Sequence, residues 1–117
     1  MKILTCTTYH YYDDPRMVAP EFLWFTEIPR QMGHQVCFFD FKEQARINKD
    51  AMNELLLSAV KGGGFDLVLI NPIQDEFYPE MLEELKRHAV TLAWNSDDDY
   101  RWEDYSSKWC QHYTYMV

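Results

Sequence analysis

The sequence predicts an α/β domain: an open, Rossmann-like parallel sheet of about five strands with helices on both faces. Short apolar runs alternate along the chain with segments whose apolar residues recur at helical spacing. The resulting order β-α-β-α-β-α-β-α-β calls for parallel strands joined by right-handed crossovers. The most apolar run, residues 65–71, has the near-continuous hydrophobicity of a strand covered on both faces. Polar residues gather just after the expected strands, and in a parallel sheet those loops share one edge.

Residues 2–8 read as the first strand, carrying Ile3, Leu4 and Cys6. A tyrosine-rich loop follows, Tyr9-His10-Tyr11-Tyr12-Asp13-Asp14-Pro15-Arg16. Phe22, Phe25, Ile28 and Met32 then fall on one face of a helix ending near Gly33, and Pro29 should kink or shorten its last turn. Residues 35–41 form the second strand, around Val36, Cys37, Phe38 and Phe39. Met52, Leu55, Leu56, Ala59 and Val60 make the next helical stripe, which Gly62-Gly63-Gly64 stops. Those glycines precede a strand, whereas a phosphate-binding loop would follow one and open a helix. After the third strand, Pro79 suits the first position of a helix over 79–87, with acids early and bases late. Residues 90–94 are the fourth strand. Trp102, Tyr105 and Trp109 are spaced as on a short helix, and residues 112–117 open a fifth strand.

At 117 residues the chain is one domain, long enough to bury roughly two-thirds of its unfolded surface. A net charge of −8 argues against a nucleic-acid backbone or an anionic membrane as the main partner. No apolar run approaches the ~18 residues of a membrane span. The opening Met1-Lys2-Ile3-Leu4-Thr5 lacks a signal peptide's apolar core and cleavage site. Cys6, Cys37 and Cys110 are odd in number and widely spaced. Cys6 and Cys37 read as small core hydrophobes in strands, and a reducing cytoplasm is the expected setting.

The strongest site signal is Trp94-Asn95-Ser96-Asp97-Asp98-Asp99-Tyr100-Arg101-Trp102, directly after the fourth strand. Carboxylates there cost repulsion and desolvation, so packing alone would not choose them. Asp97 to Asp99 either face a ligand or hinge, or form a solvated acidic loop that caps the following helix. Oxygen ligands would suit magnesium or calcium, but the run lacks calcium-loop spacing and its glycine, so no metal is expected. His10 is either a general base or a loop histidine bonded to nearby backbone. Asp13-Asp14-Pro15 reads as a turn initiator or as part of the site, and Asp75-Glu76 as a cap for the helix at Pro79 or as site residues. The residues expected at the site are His10 and Asp98 as catalytic groups, and Tyr9, Asp13, Asp75, Glu76, Asn95, Asp97 and Arg101 as substrate contacts.

A set of motifs runs nearly end to end in one order: Met1-Lys2-Ile3-Leu4, Tyr12-Asp13-Asp14-Pro15-Arg16, Met32-Gly33-His34-Gln35-Val36 with Phe39-Asp40-Phe41, and Ala51-Met52-Asn53-Glu54-Leu55-Leu56. Phe65-Asp66-Leu67-Val68 follows, then Asp75-Glu76 with Pro79-Glu80-Met81-Leu82-Glu83-Glu84-Leu85, and Thr91-Leu92-Ala93-Trp94-Asn95-Ser96-Asp97-Asp98 with Tyr100-Arg101-Trp102. The set resembles the N-terminal domain of bacterial and archaeal GT-B glycosyltransferases, in the group similar to the spore-maturation glycosyltransferase CgeB. The resemblance implies sugar transfer from a nucleotide-sugar donor to an acceptor, with no metal or other cofactor. It implies that this domain supplies the acceptor side, while the donor sits mainly against a C-terminal domain. Many GT-B enzymes carry a glycine-rich turn after the first strand, where this chain has Tyr9, His10, Tyr11 and Tyr12.

The chain stops inside its fifth strand, so it reads as a truncated N-terminal domain lacking the donor-binding half and inactive alone. An apolar patch or sheet edge where that half would dock would favour a homodimer. The alternative is a non-catalytic, receiver-like or partner-binding α/β module. A phospho-receiver needs an acid at the end of its third strand, where Asn71 stands, and a lysine after the fifth. Asp13-Asp14 match its pattern only in part.

Overall fold

A computed structural model describes residues 1–117, the side chain of Asp98 excepted. The strands are β1 (Lys2–Thr7), β2 (Gln35–Asp40), β3 (Leu67–Ile70), β4 (Val90–Ala93) and β5 (Tyr115–Met116). They form one all-parallel, five-stranded sheet in the order β2-β1-β3-β4-β5. Helices flank it: α1 over residues 20–31, α2 (Phe41–Ile47), α3 (Lys49–Gly63), α4 (Pro79–Leu85) and α5 over residues 98–109. The architecture is the Rossmann-like open sheet that the sequence predicts. Among the described residues no helix is long and apolar enough to cross a membrane.

Side chains alternate across the pleat, so each strand serves both layers. Leu4, Cys6, Val68, Ile70 and Ala93 face α3 and α4, where Met52, Leu56, Val60, Leu82 and Leu85 complete the main core. Burial pushes the Cys6 thiol pKa well up, which keeps it protonated and inert. On the opposite face Ile3 and Thr5 are buried under α1, and the hydroxyls of Thr5 and Thr26 meet at 2.8 Å between strand and helix.

Several local expectations change. Phe41 ends no strand: the Asp40 carboxylate accepts from the Glu43 amide at 3.3 Å and starts α2, which seats Phe41 against Phe77 in the core. The inward stripe of α3 is Met52, Asn53, Leu56 and Val60, whereas Leu55 and Ala59 face water. Asn53 takes the inward place because its amide ties three backbone groups. It donates to the Lys49 and Glu76 carbonyls and accepts from the Tyr78 amide, each at 2.9 Å. Gly64 closes α3 at φ +61°, a left-handed cap that glycine adopts without steric cost.

Both irregular helices contain π-helical turns. In α1 the Ile28 amide reaches back to the Leu23 carbonyl, a wide turn just ahead of Pro29, whose ring would otherwise press on the preceding turn. In α5 the π-turn Trp102–Ser106 takes Trp102 off the inward face, leaving it exposed while Tyr105 stacks on Trp109. Cys37, expected in the core, is exposed because β2 is an edge strand.

Leu56 is fully buried and Leu55 is not, so the two neighbours should respond differently. Leu56→Ala is expected to cost about 2–5 kcal/mol in urea denaturation. Leu55→Ala should stay within about 0.5 kcal/mol. Similar losses at both positions would contradict this seating of α3.

Candidate functional site

The strand order reverses between β1 and β3: the chain leaves β1 toward β2 on one side and leaves β3 toward β4 on the other. Loops at such a switch point diverge and leave a crevice at the strands' carboxyl ends. A cleft of about 210 Å³ lies there. Its lining includes Thr8, His10, Lys42, Asn71, Asn95, Asp97 and Arg101, drawn from the segments that follow β1, β2, β3 and β4.

The floor is rigid. Asn71, at the end of β3, donates from Nδ2 to the Trp94 carbonyl at 3.0 Å and lies 3.5 Å from the Thr7 hydroxyl through Oδ1. It therefore ties the ends of β1, β3 and β4 together. Asn95 is buried; its amide donates to the Val117 carbonyl at 2.7 Å and its side chain donates to the Ser106 hydroxyl. Arg101 spans the gap to the β3 loop by donating to the Ile73 carbonyl, with its guanidinium 4.2 Å above the Tyr105 ring.

The opposite wall is an arm formed by residues 9–19. His10 and Val18 bridge antiparallel, the Tyr11 amide bonds the Met17 carbonyl at 3.0 Å, and the Ala19 amide bonds the Tyr9 carbonyl at 2.8 Å. At the tip Asp14-Pro15-Arg16-Met17 makes a turn closed by the Met17 amide on the Asp14 carbonyl, and Asp14 pairs with Arg16 at 2.7 Å. Tyr12 and Asp13 both adopt left-handed backbone, φ +47° and +62°, which is strained for tyrosine. Asp13 reaches Lys42 at 3.0 Å and pins the arm to α2.

Nδ1 of His10 is shielded from water and has no hydrogen-bond partner among the described residues, so its bonding capacity is unspent. Lys42 and Arg101 bring positive charge to the cleft and Glu21 and Asp97 negative charge, all in a chain of net −8. Among the described residues no group of three or more His, Cys, Asp or Glu could hold a metal ion.

The structure thus gathers His10, Asn95, Asp97 and Arg101 around one cleft. Tyr9 stands behind it, its ring packed edge-on against Phe22 at 4.8 Å and His10 at 5.0 Å. Asp13 acts on the cleft through Lys42. Asp75 lies 3.5 Å from Lys49, away from the cleft. Glu76 folds back to accept from the Ile73 and Gln74 amides, holding the β3 loop, and caps nothing at α4, whose start at Tyr78 has no side-chain cap. The Asp98 side chain lies outside the described residues. Lys42, Glu21 and Asn71 line the cleft without having stood out in the sequence. For Lys42 the signal was its place directly after β2, on the same sheet edge as the other loops.

Compared with known proteins, the chain matches no family model, no curated protein and no solved structure.

The hydrogen bond from Lys42 holds the Asp13 carboxyl pKa below its ordinary 3.8. A depressed carboxylate contributes stability above its unfolded pKa, and that contribution is lost as pH falls through the lowered value. Carbon-detected NMR of the side-chain carboxyl should give Asp13 a midpoint below 3.8 that rises in Lys42→Met. An unmoved midpoint in that variant would mean Lys42 does not hold the arm.

Proposed function

We propose that this chain is the acceptor-side, N-terminal domain of a GT-B glycosyltransferase of the CgeB-like group, acting on a nucleotide-sugar donor. The observation that carries the reading is the switch-point cleft, where His10 lines the same small volume as Asp97 and Arg101. A sugar hydroxyl is a weak nucleophile that needs a nearby proton acceptor and fixed polar groups to orient it.

In this reading the acceptor hydroxyl lies against His10 and attacks the donor's anomeric carbon. Its proton passes to the imidazole, and the nucleoside diphosphate leaves with the electron pair of the broken bond. Asp97 and the Arg101 guanidinium bind neighbouring acceptor hydroxyls, and the Asn71–Trp94 tie keeps the floor from shifting beneath them. Asp98 and Asp97 serve as acceptor or hinge contacts. The donor diphosphate is held mainly by a second domain, so the chain alone binds acceptor without turnover.

The strand order β2-β1-β3-β4-β5 also occurs in receiver-type folds, which favours the alternative module. Its phosphoryl chemistry has no support at Asn71, where an amide takes the place of the acid and is spent on the Trp94 carbonyl.

Titrating the chain with short glycans and nucleotide sugars under amide-detected NMR tests the reading. Glycans should shift resonances of His10, Asp97 and Arg101 together, and Arg101→Ala should weaken that binding by about tenfold, the value of one good hydrogen bond to a charged group. Glycan shifts that are absent, or that avoid the cleft, would sink the acceptor assignment.

A further inference from the structure

Acids outnumber bases 19 to 11 in this chain, so a base left without an acid is the unexpected case. Among the described residues every lysine and arginine pairs with a carboxylate except Lys2, Arg101 and Lys108. Lys2 donates to the Gly63 carbonyl and lies 5.1 Å from the centre of the Phe65 ring, and Lys108 is exposed on α5. Of the three, Arg101 is the one that lines the switch-point cleft.

Its half-buried guanidinium is also held in place before any ligand arrives. It lies 4.2 Å above the ring of Tyr105, itself a buried residue, and it donates to the Ile73 carbonyl across the gap to the β3 loop. A guanidinium carries five N–H donors in a rigid fork, and one bond to a backbone carbonyl leaves most of them free. That one bond needs no charge, since a neutral amide would make it as well. The charge and the fork are what a carboxylate or a phosphate matches, through two parallel hydrogen bonds. Because the group is already ordered, little freedom is lost when such a ligand binds.

The other charged groups of the cleft set how such a ligand lies. Lys42 adds a second positive charge from α2, shared with Asp13 of the arm. Glu21 and Asp97 pair with no base among the described residues. A carboxylate accepts hydroxyl donors and repels an oxyanion. The ligand's acid group therefore lies toward Arg101, and its hydroxyls lie toward Glu21 and Asp97. A neutral ligand would cover Arg101 without bringing a counter-charge, and the lost hydration of the guanidinium would count against it.

We propose that the cleft selects a ligand bearing an oxyanion, a carboxylate or a phosphate, and that Arg101 is the residue that recognises it. On the acceptor-side reading, on which this assignment rests for its sugar, the acceptor is an acidic sugar. Its hydroxyls meet the acids of the cleft, and its acid group meets the guanidinium.

Affinities of the 117-residue chain for glucose, glucuronate, glucose 6-phosphate and inorganic phosphate, read from amide shifts at the cleft, decide it. At least one acidic sugar should bind about tenfold more tightly than glucose, the value of a hydrogen bond between charged groups. The tighter of the two acidic sugars identifies carboxylate or phosphate. This ratio is measured on the unaltered chain and needs no variant. Arg101→Gln, which keeps an N–H donor and removes the charge, should abolish the preference, and Arg101→Lys should retain part of it. An arginine that served the structure alone would weaken every ligand equally and leave the ratio as it was. Glucose bound as tightly as both acidic sugars, or a preference that survives Arg101→Gln, would overturn the anion assignment and leave the acceptor reading standing. Inorganic phosphate bound at the cleft through Arg101, with no sugar bound, would uphold the anion site and sink the acceptor reading. No shift at the cleft with any of these ligands would overturn both.

Discussion

The reversal of strand order at β1 and β3 is the constraint on which the rest of the molecule depends. A right-handed crossover can leave a parallel sheet on either side, and here the connection out of β1 goes one way while those out of β3 and β4 go the other. The same reversal places α1 alone on one face and α3 and α4 on the other. It also parts the loops after β1 and β3, so that a cleft is present before any side chain is chosen. The cleft and the uneven sheet cover are two results of one topological fact.

Once a crevice exists at the end of a buried sheet, the backbone groups that rim it need partners. Three polar side chains supply them. Asn71 bonds the Trp94 carbonyl, Glu76 gathers the Ile73 and Gln74 amides, and Asn53 joins α3 to both the Glu76 carbonyl and the Tyr78 amide. Buried amides that bond on both ends are costly to leave unmet, so this network holds the β3 loop in one arrangement. It accounts for why Glu76 is an acid inside a loop: a carboxylate accepts two backbone amides at once where a neutral side chain would satisfy one less strongly.

The sheet was legible because its signal is repeated: apolar runs and helical stripes recur in alternation, and each instance reinforces the others. The site was legible where residues follow a strand directly, as Asn95, Asp97 and Arg101 do after β4. Lys42 was missed although it obeys the same rule, because the strand before it seemed to include Phe41, and α2 was not distinguishable from a loop. Asn53 was left out of the helical stripe for a different reason. A polar residue on a core-facing position looks exposed to any periodicity argument, and only three-dimensional contacts reveal its partners. The π-turns are also invisible at that level, since one extra residue per turn rotates Trp102 away from Tyr105 without altering its spacing in the sequence.

The walls of the cleft differ in how firmly they are fixed, and that difference bears on how a ligand would enter. Asn71, Asn95 and Arg101 are each tied to backbone or to a buried hydroxyl, so their wall keeps its shape. The facing arm rests on a backbone bridge, an ion pair to Lys42 and a turn at Asp14-Pro15, while Tyr12 at its tip is 83% exposed in a left-handed conformation. Such a conformation costs a non-glycine residue of order 1–3 kcal/mol, and it persists only where neighbours over-determine it. The neighbours here are surface contacts, worth little each in water. Strain held by weak contacts makes the arm the softer wall, the one whose conformation a bound ligand could change at least cost. A ligand that bonded His10, which lines the cleft, would add a partner to the arm at its root.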